Sequence, residues 1–295
     1  MNARQALLTS ILDYAGLYPP AGLRMPEAVF NYGSYLGSAH GWMLDRFVLP
    51  WASVADFERE ARPLLDTPVR RWSISLTAEE NAMPPQQLIE GFHQRIAGAR
   101  IDSVEVRASS PAAIERLVAR LHSPVKLFVE MPLPSDTNDP EPWIEALEHH
   151  HANAKIRTGG LTPETIPSSQ AIARFLHVAA KARVPFKATA GLHHPVRSSH
   201  PLTYEAQSPS ATMHGFLNVF VAATVAYTGG SQKEIEGVLE ETSADAFVLT
   251  EESLSWNRLH LDTDQICVAR SHFALSFGSC SFTEPTADLE ALRWL

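Results

Sequence analysis

The sequence predicts an α/β protein: a (β/α)8 TIM barrel over residues 46–295 with an N-terminal helical extension over residues 1–45 packed on it. Three observations carry this. From residue 46 onward, short runs rich in β-branched and aromatic residues alternate with amphipathic helical patterns, which requires a parallel sheet with helical crossovers. Eight such βα units can be counted, and eight close most naturally into a barrel. The length of 295 residues suits one large barrel domain. An open doubly wound sheet that bound a dinucleotide would need a Gly-rich phosphate turn after an early strand, and the sequence has none.

Taken in order, residues 2–13 place Ala6, Leu7, Leu8, Ile11 and Leu12 at helical spacing, and Gly16 with Pro19-Pro20 ends that pattern. A second helix is expected from Met25 or Pro26 to near Gly41. Strands are then expected over 46–51 (RFVLPW), 69–76 (VRRWSISL), 101–107 (IDSVEVR), 125–130 (VKLFVE), 154–158, 184–189, 245–250 (DAFVLT) and 273–279. Helices are expected between them over 54–65, 85–98, 111–121, 141–150, 168–183, 213–227, 232–241 and 262–271, with a last one over 286–294. The segment 191–210 has three prolines and no periodicity, and loops of that length are commonly lids or binding loops. The run His149-His150-His151 falls at a helix C-terminus on the bottom face, where imidazole favours the helix carbonyls rather than a metal.

Hydrophobic residues make up 45% and charged ones 19%, so there is ample material for a core. A net charge of −9 excludes broad polyanion binding, and nucleic acid is not an expected partner. No window reaches the roughly 20 apolar residues of a membrane span. Asp13 interrupts the apolar N-terminal run and no small-residue cleavage site follows, so a cytoplasmic protein is expected. Cys267 and Cys280 match no metal or redox spacing and are expected to be reduced and mostly buried. A homo-oligomer is left open by composition.

The chemistry is expected where strand ends converge on the barrel mouth. Reading off those ends gives Glu105 and Arg107, Glu130, Lys155 and Arg157, Lys187 and Thr189, with His193 and His194 just beyond. Residues two apart on a strand share a face, so Glu105 goes with Arg107 and Lys155 with Arg157. The chain has five lysines among 24 Lys plus Arg, and two of them stand at these strand ends. Arginine cannot replace an amine that must lose its proton to react. Burial and neighbouring cations such as Arg157 are expected to depress one lysine enough to make it a nucleophile, with Glu130 or His193 moving protons. Thr158, Gly159 and Gly160 are expected to let backbone N–H groups approach an anionic substrate.

The pair KIRTGG (155–160) and FKATAGLHHPVR (186–197) resembles the two lysine motifs of deoxyribose-phosphate aldolase, KTSTG and KASGG-IR, one βα unit apart. The resemblance implies that Lys155 is the Schiff-base lysine and Lys187 the second lysine that lowers its pKa, with Gly159 and Gly191 as the motif glycines. Arg157 stands where that family has Ser, His193-His194 replaces its phosphate-binding stretch, and the strand count puts the lysines on strands five and six rather than six and seven. Other class I aldolase barrels carry the lysine on strand six, which on this count favours Lys187. Taken whole, the chain resembles a bacterial family from which no substrate can be carried over.

The expected function is therefore a lyase of the aldolase type that acts on a small anionic carbonyl metabolite through a Schiff base and needs no cofactor. One alternative is a hydrolase or isomerase in which His193, His194 and Glu105 or Glu130 hold a divalent metal and the lysines orient substrate. The other is a non-catalytic barrel that binds an anion at KIRTGG.

Overall fold

The computed structural model describes residues 1–66, 70–121, 124–132, 135 and 138–295. Eight parallel strands close into a barrel in simple cyclic order: β1 (Leu12–Tyr14), β2 (Leu44–Pro50), β3 (Trp72–Glu79), β4 (Ala99–Arg107), β5 (Lys126–Glu130), β6 (Asn153–Arg157), β7 (Phe186–Thr189) and β8 (Ala274–Ser279). Helices α1 (Ala3–Leu8) to α11 (Thr283–Ala291) surround it, with α2 (Met25–Leu36), α3 (Val54–Leu65), α4 (Gln86–Arg95), α5 (Ala113–Val118), α6 (Glu141–His149) and α7 (Ser169–Lys181) as the crossovers from β1 through β7. The (β/α)8 class read from the sequence is the one observed. No helix among the described residues is long and apolar enough to cross a membrane.

The strands are built in two layers of opposite polarity. Phe47, Leu49, Ile74, Leu76, Val104, Val106, Val129, Ile156, Phe186 and Phe277 are buried on the outer face against the helices. Their alternating neighbours Ser75, Ser103, Glu105, Glu130, Lys155, Lys187 and Ser276 are also buried. Side chains on β1, β4 and β7 touch one another although those strands are not adjacent, so these residues point into the barrel. Alternation with both faces buried follows from the period-two geometry of a strand that separates an apolar helix layer from a polar lumen.

Two departures from the expected elements alter the strand count. Residues 12–14, expected to end a helix, form β1, which pairs with β8 through Leu12 opposite Phe277 and with β2 through Leu12 opposite Leu44. Helix α1 stops at Leu8, and Ser10 turns the chain with φ of 49°. A three-residue strand buried on both faces shows no alternation, so its apolar neighbours extended the helical pattern instead. The expected strand at 245–250 is not in the barrel: Phe247–Leu249 pairs antiparallel with Ser253–Trp256, which pairs with Leu259–Asp262. Its nearest partners in sequence capture it as a hairpin. The two errors cancel in the total of eight, and the lysines move to β6 and β7. The division at residue 45 does not follow the sheet either, because β1 and α2 lie on the extension's side of it.

Smaller differences follow from caps. Helix α2 ends at Leu36, with Gly37 as its C-cap, rather than near Gly41. Helix α11 begins at Thr283 rather than 286, which puts Glu284 in its first turn. The segment 191–210, expected to lack structure, contributes a hairpin of Ser198–Pro201 with Ser210–Met213. The expected start of the second strand at Val69 lies outside the described residues. Between β7 and β8 the chain also forms α8 (Phe216–Tyr227), α9 (Gln232–Glu240) and α10 (Thr263–His272). Helix α8 is buried on every side from Phe216 to Ala226, the pattern of a helix sandwiched between others.

The bottom of the barrel is tied by Arg270 of α10. Its buried guanidinium donates to the carbonyls of Leu7, Thr9, Ala274 and Leu275, joining the end of α1 to the start of β8. Burial lowers this arginine to about 10. A chain that begins at residue 46, as the expected division would allow, loses β1 and leaves β2 and β8 with open edges. Such a truncation should show no cooperative thermal transition by circular dichroism; a melt like that of the whole chain would mean that β1 is dispensable.

Candidate active site

The inward residues of β1, β4, β5, β6 and β7 form one line of alternating charge. Lys187 Nζ lies 2.5 Å from Asp13 Oδ2 and 2.6 Å from Glu105 Oε1. Lys155 Nζ lies 2.9 Å from Glu105 Oε2 and 2.9 Å from Glu130 Oε2. Glu105 thus holds one lysine on each carboxylate oxygen, and the order runs Asp13, Lys187, Glu105, Lys155, Glu130. Parallel register sets this up: Glu130 is opposite Lys155, and Lys155 is opposite Lys187.

Hydroxyls complete the line. Ser75 donates to Glu105 Oε1 at 2.6 Å, Ser103 donates to Ser75 at 2.8 Å, and Ser276 donates to Asp13 Oδ2 at 2.7 Å. Below, the backbone N–H of Arg46 donates to the second oxygen of Asp13 at 3.1 Å, while its guanidinium pairs with Asp45 and Asp102. Charges this deep are tolerated only when each is paired and hydrogen-bonded.

Electrostatics decide the protonation of the line. Burial alone would raise Glu105, but Lys155 and Lys187 outweigh it and hold its carboxyl well below the usual range. Burial alone would lower Lys155, but Glu105 and Glu130 outweigh it and push the amine above an ordinary lysine. The expectation of a lysine depressed by its neighbours is therefore reversed for Lys155 in this arrangement. Glu105 stands between the two ammonium groups, so each sees a carboxylate before it sees the other cation.

Above the line opens a cavity of ≈ 720 Å³. Glu105, Glu130, Lys155 and Lys187 form its floor, and Arg107, Arg157, Gly160, Thr189 and His193 also line it. Lys187 is 1% exposed and Lys155 9%, so Lys155 is the more accessible amine. Arg107 and Arg157 have no carboxylate within ion-pair distance among the described residues. Two guanidiniums without an ion-pair partner among the described residues, over a paired floor, could hold an anion whose carboxylate or phosphate accepts from both.

Other candidates lie elsewhere. Thr158 is buried and donates to the carbonyl of Ala190 at 2.7 Å, tying the ends of β6 and β7. Gly159 packs on Gly191: a Cβ on Gly159 would lie 3.0 Å from Gly191 Cα, and Gly191 has φ of 77°. These two glycines serve close backbone approach, and Gly191, unlike Gly159, also lines the cavity. His194 binds Asp288 at 2.6 Å and stacks on His200 with ring centroids 3.4 Å apart, outside the cavity lining. His193 binds Glu284 at 2.8 Å. The metal set of His193, His194 and Glu105 or Glu130 is thus not brought together, and no group of three His, Cys, Asp or Glu side chains is gathered for a metal among the described residues.

Asp13, Cys280 and the serines escaped the reading from sequence. A carboxylate inside the apolar stretch ILDY was the available signal for Asp13, since a charge flanked by buried residues marks a lumen-facing strand position in a barrel. Tyr18, whose hydroxyl lies 2.5 Å from that of Thr77, adds a cavity wall from the loop after β1.

No protein-family model matches the chain, and no curated protein matches it. Among solved structures it is similar to the spore cortex-lytic enzyme SleL of Bacillus megaterium QM B1551, at 10% identity and a TM-score of 0.41, covering 97% of this chain and 73% of that one. A likeness of that degree supports no conclusion about activity.

A carboxyl held low by folding contributes stability that is fully present above its unfolded value, near 4.5, and is lost as pH falls through the lower folded value. Acid should therefore unfold this protein progressively below that point. Glu105→Gln should lose about 3 kcal/mol at neutral pH and show a flatter acid limb in urea titrations. Equal stability of variant and parent would remove Glu105 from its bridging role.

Proposed function

We propose that this chain is an enzyme of the lyase type that acts at the barrel mouth on a small anionic carbonyl compound, with Lys155 as the Schiff-base amine. The observation that carries the reading is a pair of guanidiniums, Arg107 and Arg157, that have no carboxylate partner among the described residues and line the same cavity as Lys155, the more exposed of the two floor lysines, which sits between two carboxylates. The corrected strand count adds support, since Lys155 on β6 and Lys187 on β7 now occupy the strands that the resemblance to deoxyribose-phosphate aldolase implies.

The chemistry starts from an ammonium. The substrate anion binds the guanidiniums and its carbonyl carbon comes to Lys155. The amine proton passes to Glu130, and the freed nitrogen adds to the carbonyl carbon. The adduct nitrogen passes a second proton to the alkoxide, and loss of water, its oxygen protonated again from Glu130, leaves an iminium. This accepts the electron pair of a neighbouring carbon–carbon bond as the hydroxyl on the departing carbon gives its proton to Glu130 and becomes a carbonyl. Lys187, clamped between Asp13 and Glu105, keeps Glu105 ionised and in place. One observation favours a second reading, a non-catalytic anion-binding barrel: both amines are fully paired.

Borohydride reduction separates the two readings without knowledge of the substrate. Glyoxylate, pyruvate and glycolaldehyde phosphate serve as probes, with intact-mass and peptide detection. A stable adduct is expected on the peptide that carries Lys155, absent in Lys155→Met, and formed faster as pH rises from about 7 to about 10 because the amine must lose its proton. Arg157→Ala should raise the half-saturating probe concentration about tenfold. Phosphate binding without an adduct from any probe at any pH would overturn the lyase reading in favour of the binding one.

A further inference from the structure

A second group of reactive side chains faces the same cavity from the side of β7 and β8. Cys280 follows the last residue of β8, is 6% exposed and lines the cavity together with His193. Its Sγ lies 3.9 Å from His193 Nε2. The other ring nitrogen of His193, Nδ1, lies 2.8 Å from Glu284 Oε2. Glu284 is in the first turn of α11, and its backbone N–H is capped by Ser281 Oγ at 3.1 Å. Tyr204, from the hairpin loop after β7, donates to the same Glu284 oxygen at 2.9 Å and reaches Cys280 Sγ at 3.8 Å. A sulfur, an imidazole nitrogen beside it and a carboxylate on the far ring nitrogen are the three parts of a nucleophile, a base and a group that orients the base.

We propose that Cys280, with His193 as base and Glu284 as its orienting carboxylate, is a nucleophilic site in the mouth that adds reversibly to the aldehyde carbon of a small anionic ligand. The ligand class rests on the proposed function, since Arg107 and Arg157 are the anion contacts; the nucleophile does not depend on a Schiff base. In the step, the thiol proton passes to His193 Nε2 and the sulfur lone pair forms the C–S bond. The carbonyl π pair moves to oxygen, and that oxygen takes the proton from Nε2, giving a hemithioacetal with no oxidant or further reactant. Burial alone would make His193 a weaker base, but its bonds to Cys280 and Glu284 outweigh burial and bring it to about 9. That basicity suits an imidazole which must hold the thiol proton during attack.

The chain carries its own control, because Cys267 is more exposed and its thiol bonds the Met1 sulfur at 3.8 Å, with no imidazole partner among the described residues. Carboxamidomethylation by iodoacetamide at neutral pH, followed peptide by peptide, should label Cys280 about tenfold faster than Cys267. His193→Ala should slow Cys280 at least about tenfold and leave Cys267 unchanged, and Glu284→Gln, which keeps a hydrogen-bonding side chain, should do the same to a smaller degree. Glyoxylate should protect Cys280 from the label in Lys155→Met as well as in the parent chain. Cys280 slower than Cys267, or an unchanged Cys280 rate in folded His193→Ala and Glu284→Gln, overturns the proposal. Fast, His193-dependent labelling with no borohydride adduct would uphold this site while the Schiff-base reading fails, and the converse pair of results would reject this site alone.

Discussion

Glu105 is the constraint on which this barrel depends. One carboxylate, buried at the centre of the lumen, holds the β7 lysine on one oxygen and the β6 lysine on the other. Without it each lysine would keep one carboxylate, Asp13 for Lys187 and Glu130 for Lys155, and a buried charge is tolerated best when it is fully paired and hydrogen-bonded. The same logic extends outward in both directions. Lys187 also meets Asp13 and Lys155 also meets Glu130, so five strands contribute to one line of alternating charge, three carboxylates holding two amines. The closure of the barrel by the short β1 is then electrostatic as well as hydrogen-bonded: the strand is only three residues long, yet it brings the carboxylate that completes the line.

This polar lumen divides the labour between the two faces of the sheet. Cohesion comes from the outer face, where aromatic and branched side chains of the strands meet helices that are apolar on one side or, in α8, on all sides. The inner face is released from the packing role that apolar layers fill in most barrels of this class. It presents paired charges below and, above them, two guanidiniums that have no carboxylate partner among the described residues.

The mouth is assembled asymmetrically. The β4–β6 side supplies carboxylates, an amine and guanidiniums; the β7–β8 side supplies a thiol, an imidazole and their carboxylate. The hairpin after β7 links the second set through Tyr204, so its position and that of Glu284 are coupled. The cavity thus lies between an amine on one side and a thiol on the other.

Much of this was legible in the residues. Alternation of strand and helix patterns identified the barrel class, because a parallel sheet needs crossovers and each leaves a periodic trace. Polar residues at the ends of β4, β5, β6 and β7 identified Glu105, Arg107, Glu130, Lys155, Arg157, Lys187 and Thr189, because a charge at the end of an apolar strand has few places to go other than the mouth. Tertiary structure alone decided the rest. Strand β1 was hidden because three residues buried on both faces carry no period, and the hairpin at 247–256 imitated a barrel strand because pairing partners are not written into a strand's own composition. The protonation of Lys155 depends on which charge stands nearest in space, and Glu105 interposes itself through closure of the ring rather than through spacing along the chain. Cys280 and His193, far apart in sequence, become neighbours only when β8 is laid beside β7.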